Sequence, residues 1–303
     1  ENYVTFFELA ARRFPDANYD YFLSRMDRSM GAWNVWTDMS PILYHQPVAA
    51  DAPAPDTRSR WYNHGKWIVL KAIEGPQYWN SDSLYAFMPY GVYRTKSLQR
   101  MSVDLFAFGK VIAPRVAKLS RHQSHDEGWY INDDAWNSIM LDGENIANLR
   151  RGEIVESALI FSDFQPAIKI AEAEILVERE ITPSLWSEKR VERRPDLDYR
   201  VSRTLGLTDT YLLDITNLTF EHPQEYRHQL HWVWHAFGEL SLQGIEHDGL
   251  TKEPWSATWL DDDGIGLRTS MLGSLVTPNP EDSVRTQVLM RSTPLIHYVT
   301  VLR

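Results

Sequence analysis

Two histidines and a tyrosine stand close together in Ser120-Arg-His-Gln-Ser-His-Asp-Glu-Gly-Trp-Tyr130. Imidazole and phenol are the side chains that proteins tune to take up or release a proton near neutral pH, so His125 and Tyr130 are candidates for a base and an acid. A solvated polar loop would carry the same residues, and that reading stays open beside the first. His228, His231 and His235 would lie on one side of a helix, a spacing suited to a metal. The alternating aromatics around them favour a strand instead, on which His231 and His235 share a face with Val233 and His228 turns away. That removes the three-ligand set. It leaves a two-histidine zinc site completed by an aspartate elsewhere, or histidines lining a groove. No other residue pattern calls for a cofactor. Arg94, Lys96, Arg100 and Arg115 could form the local cationic strip that an acidic protein needs to hold an acidic ligand, or could simply solvate a sheet edge. Asp261-Asp262-Asp263-Gly264 reads as a turn, because an EF-hand loop with Gly264 as its sixth residue would need an acid where Trp259 stands. Neither a glycine-rich phosphate loop nor a G-x-S-x-G elbow occurs.

Composition narrows the classes further. The chain has 303 residues, with 31 Lys+Arg against 41 Asp+Glu, a formal charge of −10. Such an excess of acids argues against binding nucleic-acid phosphates. With no cysteine, disulfides, thiolate metal sites and cysteine nucleophiles are excluded. No apolar run approaches the roughly 20 residues that span a bilayer, and no charged-then-apolar leader opens the chain, so it reads as soluble without visible targeting. The aromatic load is high, at 12 Trp, 14 Tyr and 11 Phe. Flat rings beside polar groups suit sugars, whose C–H faces stack on them. Filling the core is the other use for such rings.

The elements that must position these residues divide in two. Phe6, Leu9, Ala10 and Arg13, then Tyr19, Phe22, Leu23, Met26 and Met30, recur at helical spacing around a break at Phe14-Pro15-Asp16, and Gly31 offers a stop. The proline-rich stretch 47–58 reads as a linker or exposed loop. From about Trp61 the pattern is that of strands: Lys66–Ile73, Met101–Phe108, Ser138–Leu141 and Glu144–Ala147 about a tight Asp142-Gly143 turn, Ile154–Phe161, Ile168–Ile175, Tyr199–Leu207, Tyr211–Ile215, Gln229–Phe237, Ser283–Met290 and Leu295–Leu302. Without helical spacers, these strands predict antiparallel sheets. The expected fold is mainly β, a large antiparallel β-sandwich over residues 61–303, preceded by a helical segment over 1–46 and a linker over 47–60. Both ends read as cut from a larger protein.

Three stretches carry a family likeness: Met101-Ser-Val-Asp-Leu-Phe-Ala-Phe-Gly-Lys-Val-Ile-Ala-Pro; Trp136-Asn-Ser-Ile-Met-Leu-Asp-Gly-Glu-Asn; and Arg203-Thr-Leu-Gly-Leu through Tyr211-Leu-Leu-Asp to His231-Trp-Val-Trp-His-Ala-Phe-Gly-Glu-Leu. In this order and spacing they resemble the heparinase II/III-like polysaccharide lyases, over roughly residues 60–303. The resemblance implies an (α/α) toroid domain of the same protein ahead of the sandwich, with residues 1–46 as its end. It implies a carbon–oxygen lyase acting on uronic-acid-containing polysaccharide, an acidic polymer, by β-elimination. It also implies a periplasmic or secreted location.

In that reaction a base removes the C5 proton of a uronic acid, polar or cationic groups neutralise its carboxylate, and the 4-O-linked sugar leaves. The resemblance makes His125 or Tyr130 the proton carriers and Asn137 the neutraliser. Arg94 and Arg115 become substrate-binding cations, His231 and His235 groove residues, and Trp129, Trp136, Trp232 and Trp234, with Tyr130, sugar-facing rings. Two departures stand out. Thr95-Lys96-Ser97-Leu98-Gln99 occupies the place of a His-x-His-x-Asp motif, and Trp136-Asn137-Ser138 that of His-Asn-Thr. The second departure also weakens the case for the structural zinc that some members hold near this position, which stays open as an expectation. A non-catalytic carbohydrate-binding or structural sandwich, or a uronate epimerase, are the alternative readings.

Overall fold

The computed structural model describes residues 3–14, 17–25, 51–91, 101–113, 137–141, 144–145, 152–181, 192–193, 198–222, 229–236, 239–245, 251–260, 266–270 and 285–292. Its described elements are two short α-helices, one 3-10 helix and seventeen strands, so the fold is mainly β, as the residue pattern requires. The chain divides into two compact units. One comprises Glu1–Arg58 with Ile73–Ser81, the other Ser59–Ala72 with Asp82–Arg303.

In the first unit, α1 (Tyr3–Arg13) and α2 (Ala17–Arg25) are joined across the break at Phe14. Tyr21 and Leu23 are buried there. Their neighbours form an aromatic cluster in which the Phe7 and Trp79 rings each lie 5.3 Å from Phe22, while Trp79 lies 5.6 Å from Tyr21. The Trp79 indole donates to the Pro55 carbonyl at 2.7 Å, fixing the short 3-10 helix Pro76–Asn80.

The second unit begins with a five-stranded meander of β1 (Arg60–Tyr62), β2 (Trp67–Lys71), β3 (Tyr85–Pro89), β4 (Asp104–Ala107) and β5 (Lys110–Ala113). Next come β6 (Ile139–Leu141) and β7 (Glu144–Asn145), a hairpin with Leu141 opposite Glu144. A second five-stranded sheet follows, from β8 (Gly152–Phe164), β9 (Lys169–Ile181), β10 (Glu192–Arg193), β11 (Tyr199–Leu207) and β12 (Leu212–Phe220). The remaining strands are β13 (Gln229–Ala236), β14 (Glu239–Ile245), β15 (Thr251–Leu260), β16 (Gly266–Ser270) and β17 (Arg285–Ser292). β13 lies between β17 and β6, and β14, β15 and β16 make a three-stranded sheet. Among the described pairs β13–β17 alone is parallel, a departure from the all-antiparallel expectation. The expected strand at 295–302 and the turn at 261–264 lie outside the described residues.

Period-two burial builds the core. Ile68 and Leu70 of β2, Ala86 and Met88 of β3 and Leu105 and Ala107 of β4 join Ala171, Ala173, Ile175 and Val177 of β9 and Val201, Leu205 and Leu207 of β11 in one cluster. The two five-stranded sheets thus face each other across a shared interior, the layering of a sandwich.

The β4–β5 turn corrects one boundary. Ala107 pairs with Lys110, and the two residues between them, Phe108 and Gly109, have φ of 53° and 69°. A two-residue hairpin loop with positive φ at both positions suits Asn-Gly far better than Phe-Gly, so Phe108 is a strained turn residue rather than the end of the strand. Because Phe108 is 55% exposed, little packing would be lost on replacing it. Phe108→Asn should raise stability by about 0.5–1 kcal/mol, measurable as a higher urea midpoint with unchanged slope.

Candidate functional site

The three stretches that carry the resemblance meet at one buried arginine. Along β11, Tyr199, Val201, Arg203, Leu205 and Leu207 face inward, which places a guanidinium in the middle of an apolar row. Arg203 is fully buried. A lone buried charge would be prohibitive, and the neighbouring strand supplies the counter-ion. Asp214 lies on β12 opposite Leu205, and its two carboxylate oxygens accept from Arg203 Nε at 2.8 Å and Nη2 at 2.6 Å. The remaining terminal nitrogen, Nη1, donates to the carbonyl of Asn137 at 3.1 Å and to the carbonyl of Met101. This bidentate pair, completed by two backbone carbonyls, uses the planar fork that lysine lacks. The outward neighbour Arg200 is a different case. Its guanidinium is held above its ordinary value mainly by the hydrogen bond to Glu174, then by Glu221, against some desolvation, in a half-exposed surface network.

Around Arg203 the backbone is fastened at several points. Met101 has φ 57°, a left-handed conformation, and its N–H donates to Pro89 O at 2.6 Å. Val103 N–H donates to Asn137 O at 2.9 Å, and Asn137 Nδ2 donates back to Val103 O at 3.2 Å. Val233 N–H donates to Ser138 O at 2.9 Å, and Trp232 stands opposite Ile139, which ties β13 to the same place.

These fastenings involve the described residues that flank the candidate segments in sequence. The Met101–Pro89 bond closes the stretch containing Arg94. The stretch containing Arg115, His125, Trp129, Tyr130 and Trp136 leaves the described structure after Ala113, opposite Leu105, and re-enters at Asn137, bonded to Val103. Six of the candidates therefore belong to two stretches whose ends are held around residues 101–105. Those six residues themselves, Arg94, Arg115, His125, Trp129, Tyr130 and Trp136, lie outside the described residues.

For the others the structure is explicit. Asn137 has 0% exposure and its amide is engaged by Val103, so in this chain it fastens the backbone instead of meeting solvent. Trp234 is 2% exposed and belongs to the core cluster; with Val233 also buried, both faces of β13 are covered, and this ring is core rather than sugar-facing. His231 and His235 sit on a strand, opposite Gln287 and Arg291 of β17. Their side chains and that of Trp232 lie outside the described residues. Among the described residues no group of three His, Asp or Glu side chains gathers as for a metal. Trp136, which stands where the resemblance expects a histidine, offers only an indole N–H donor and no metal-binding lone pair, and the neighbouring Ser138 is buried. No helix among the described residues is long and apolar enough to cross a membrane.

The reading of residue types missed Arg203 and Asp214 as a pair. The signal was present: two opposite charges at inward positions of consecutive strands, among mainly apolar neighbours.

No family model matches the chain, and no curated protein does. Several solved structures do. One is a heparinase III gene product with methylated lysines, at 12% identity and TM-score 0.45, with 86% of this chain aligned to 33% of that one. Another is the heparan sulfate lyase HepC from Pedobacter heparinus, at 8% identity and TM-score 0.36, with 88% of this chain aligned to 47% of that one. A mutant of the same lyase matches at 10% identity and TM-score 0.36, over the same shares of the two chains. The chain thus spans between a third and a half of the length of these three structures.

Proposed function

We propose that this chain is part of a polysaccharide lyase that cleaves uronic-acid-containing polymers by β-elimination. The observation that carries the reading is the convergence of the three resembling stretches on Arg203. They are distant in sequence, and Met101, Asn137, Arg203 and Asp214 are joined directly by hydrogen bonds. In sequence, Met101 follows the stretch that contains Arg94, and Asn137 follows the one that contains Arg115, His125 and Tyr130. In the proposed reaction one of His125 and Tyr130 takes the C5 proton of the uronate, and the C4–O bond breaks as a C4=C5 double bond forms. The other returns a proton to the departing oxygen. Arg94 and Arg115 offset the charge of the uronate carboxylate, the task first assigned to Asn137. Asn137 acts as a positioning residue, holding the re-entry point of the His125 stretch on Val103. A periplasmic or secreted setting, where such polymers are met, belongs to the same proposal.

The test is incubation of the protein with a panel of acidic polysaccharides, following absorbance of the unsaturated uronate. A rise on at least one uronate polymer, and none on neutral glucans, is the expected outcome. Absence of the band on every uronate polymer would sink the reading.

A further inference from the structure

The β1–β2 hairpin carries a second feature that the elimination chemistry does not use. Register places Arg60 opposite Val69 and Tyr62 opposite Trp67, while Phe87 of β3 stands opposite Val69. Directly paired residues share a face, so Arg60, Tyr62, Trp67 and Phe87 all lie on the side of the first sheet away from the buried Ile68 and Leu70. The rings form a continuous row, Tyr62 to Trp67 at 6.4 Å and Trp67 to Phe87 at 6.0 Å, each pair at 63°. Tyr62 and Trp67 are each 43% exposed, a large apolar outlay for a sheet surface. The row is held in place from the turn side. A side chain at Gly65 would come within 3.1 Å of the Trp67 indole, so glycine lets the turn lie against that ring. At the end of the row the exposed Arg60 guanidinium carbon sits 6.0 Å from the centre of the Tyr62 ring.

Charge singles out this hairpin as well. Residues 59–72 contain Arg60, His64, Lys66 and Lys71 and not one Asp or Glu, in a chain whose net charge is −10. Lys66 is committed, donating to Ser157 O at 3.3 Å, and Lys71 is buried, which leaves Arg60 and His64 as the exposed basic groups. Asp104, opposite Phe87 at the far end of the face, has its Oδ1 buried.

We infer that this face, Tyr62, Trp67 and Phe87 with Arg60 at its edge, binds an anionic oligosaccharide. The exposed Tyr62 and Trp67 rings, backed by the half-buried Phe87, receive the C–H faces of sugars, and the guanidinium pairs with a carboxylate or sulfate on the same oligosaccharide. A second copy of this chain would bring the same excess of acids and so is repelled at long range. The inference stands apart from the elimination reading, because such a surface binds with or without turnover.

The experiment is calorimetric titration of the protein with a heparin-derived hexasaccharide, an oligogalacturonate hexamer and neutral cellohexaose, at low and high salt. Wild type should bind at least one anionic hexamer about tenfold more tightly than the neutral one, with a preference that shrinks as salt rises. Trp67→Ala and Tyr62→Ala should each weaken binding by about tenfold. Arg60→Gln, an exposed change that leaves the sheet intact, should abolish the anionic preference and its salt dependence. The inference is overturned if no hexamer binds, or if all three variants, melting like wild type, bind as wild type does. It is also overturned if sedimentation shows a wild-type dimer that Trp67→Ala dissociates, since a second copy would then occupy the face.

Discussion

Arg203→Met is expected to destabilise the β unit by about 3–5 kcal/mol, because it leaves the buried Asp214 carboxylate without its counter-ion. At roughly 2–4 °C per kcal/mol for a domain of this size, the melting temperature should fall by about 6–20 °C. Asp214→Leu should do comparable damage by stranding the guanidinium. The double variant Arg203→Met/Asp214→Leu should be clearly more stable than the sum of the two losses, since a pair of apolar side chains leaves no buried charge. Thermal unfolding followed by circular dichroism checks all three. Arg203→Met melting together with wild type would show that Asp214 is not left as a costly uncompensated charge. The loss should extend beyond packing. Arg203 is the group that holds the carbonyls of Met101 and Asn137, so Arg203→Lys, which keeps the charge but cannot make the fork, should also loosen those two fastenings.

The second large effect concerns turnover. Once a polymer that supports the reaction is found, His125→Ala and Tyr130→Phe should each lower kcat by about a hundred- to ten-thousand-fold, the usual contribution of a positioned proton carrier. Neither should move the melting temperature. Asn137→Ala behaves differently under the same account. It leaves the buried Val103 carbonyl without its side-chain donor, at a cost of about 1–3 kcal/mol, and so lowers stability and turnover together. Steady-state kinetics alongside melting curves separate the two patterns. If His125→Ala and Tyr130→Phe turn over polymer at the wild-type rate, the proton carriers lie elsewhere even where elimination itself is observed.

Much of the β architecture was legible because period-two alternation is a direct imprint of one buried face. Tyr199–Leu207 emerges as a strand with the bounds read from its residues, and Met101, Val103, Leu105 and Ala107 are all buried as their alternation requires. What escaped was set by tertiary context. Phe108 continues the apolar pattern of its strand, yet the chain reverses there, a choice fixed by the Ala107–Lys110 pairing and Gly109 rather than by the phenyl group. Trp234 looks like a sugar-facing ring in a His/Trp alternation. It is core because β13 is flanked by β6 and β17 and covered on both faces, which residue type cannot reveal. Asn137 drew attention for its place in a motif, and the structure gives that place a mechanical reason, the reciprocal bonds with Val103. Arg203 was visible as a letter, but its meaning required knowing that Asp214 occupies the adjacent inward row.

The central claim is the bond-breaking chemistry, and its most direct test is analysis of products formed from a uronate polymer in heavy water. Elimination predicts shortened chains whose new non-reducing ends are unsaturated and whose masses include no added water. Chains of unchanged length carrying deuterium at C5 would instead identify an epimerase. Saturated ends with water added, or a polymer left untouched by the protein, would contradict the account.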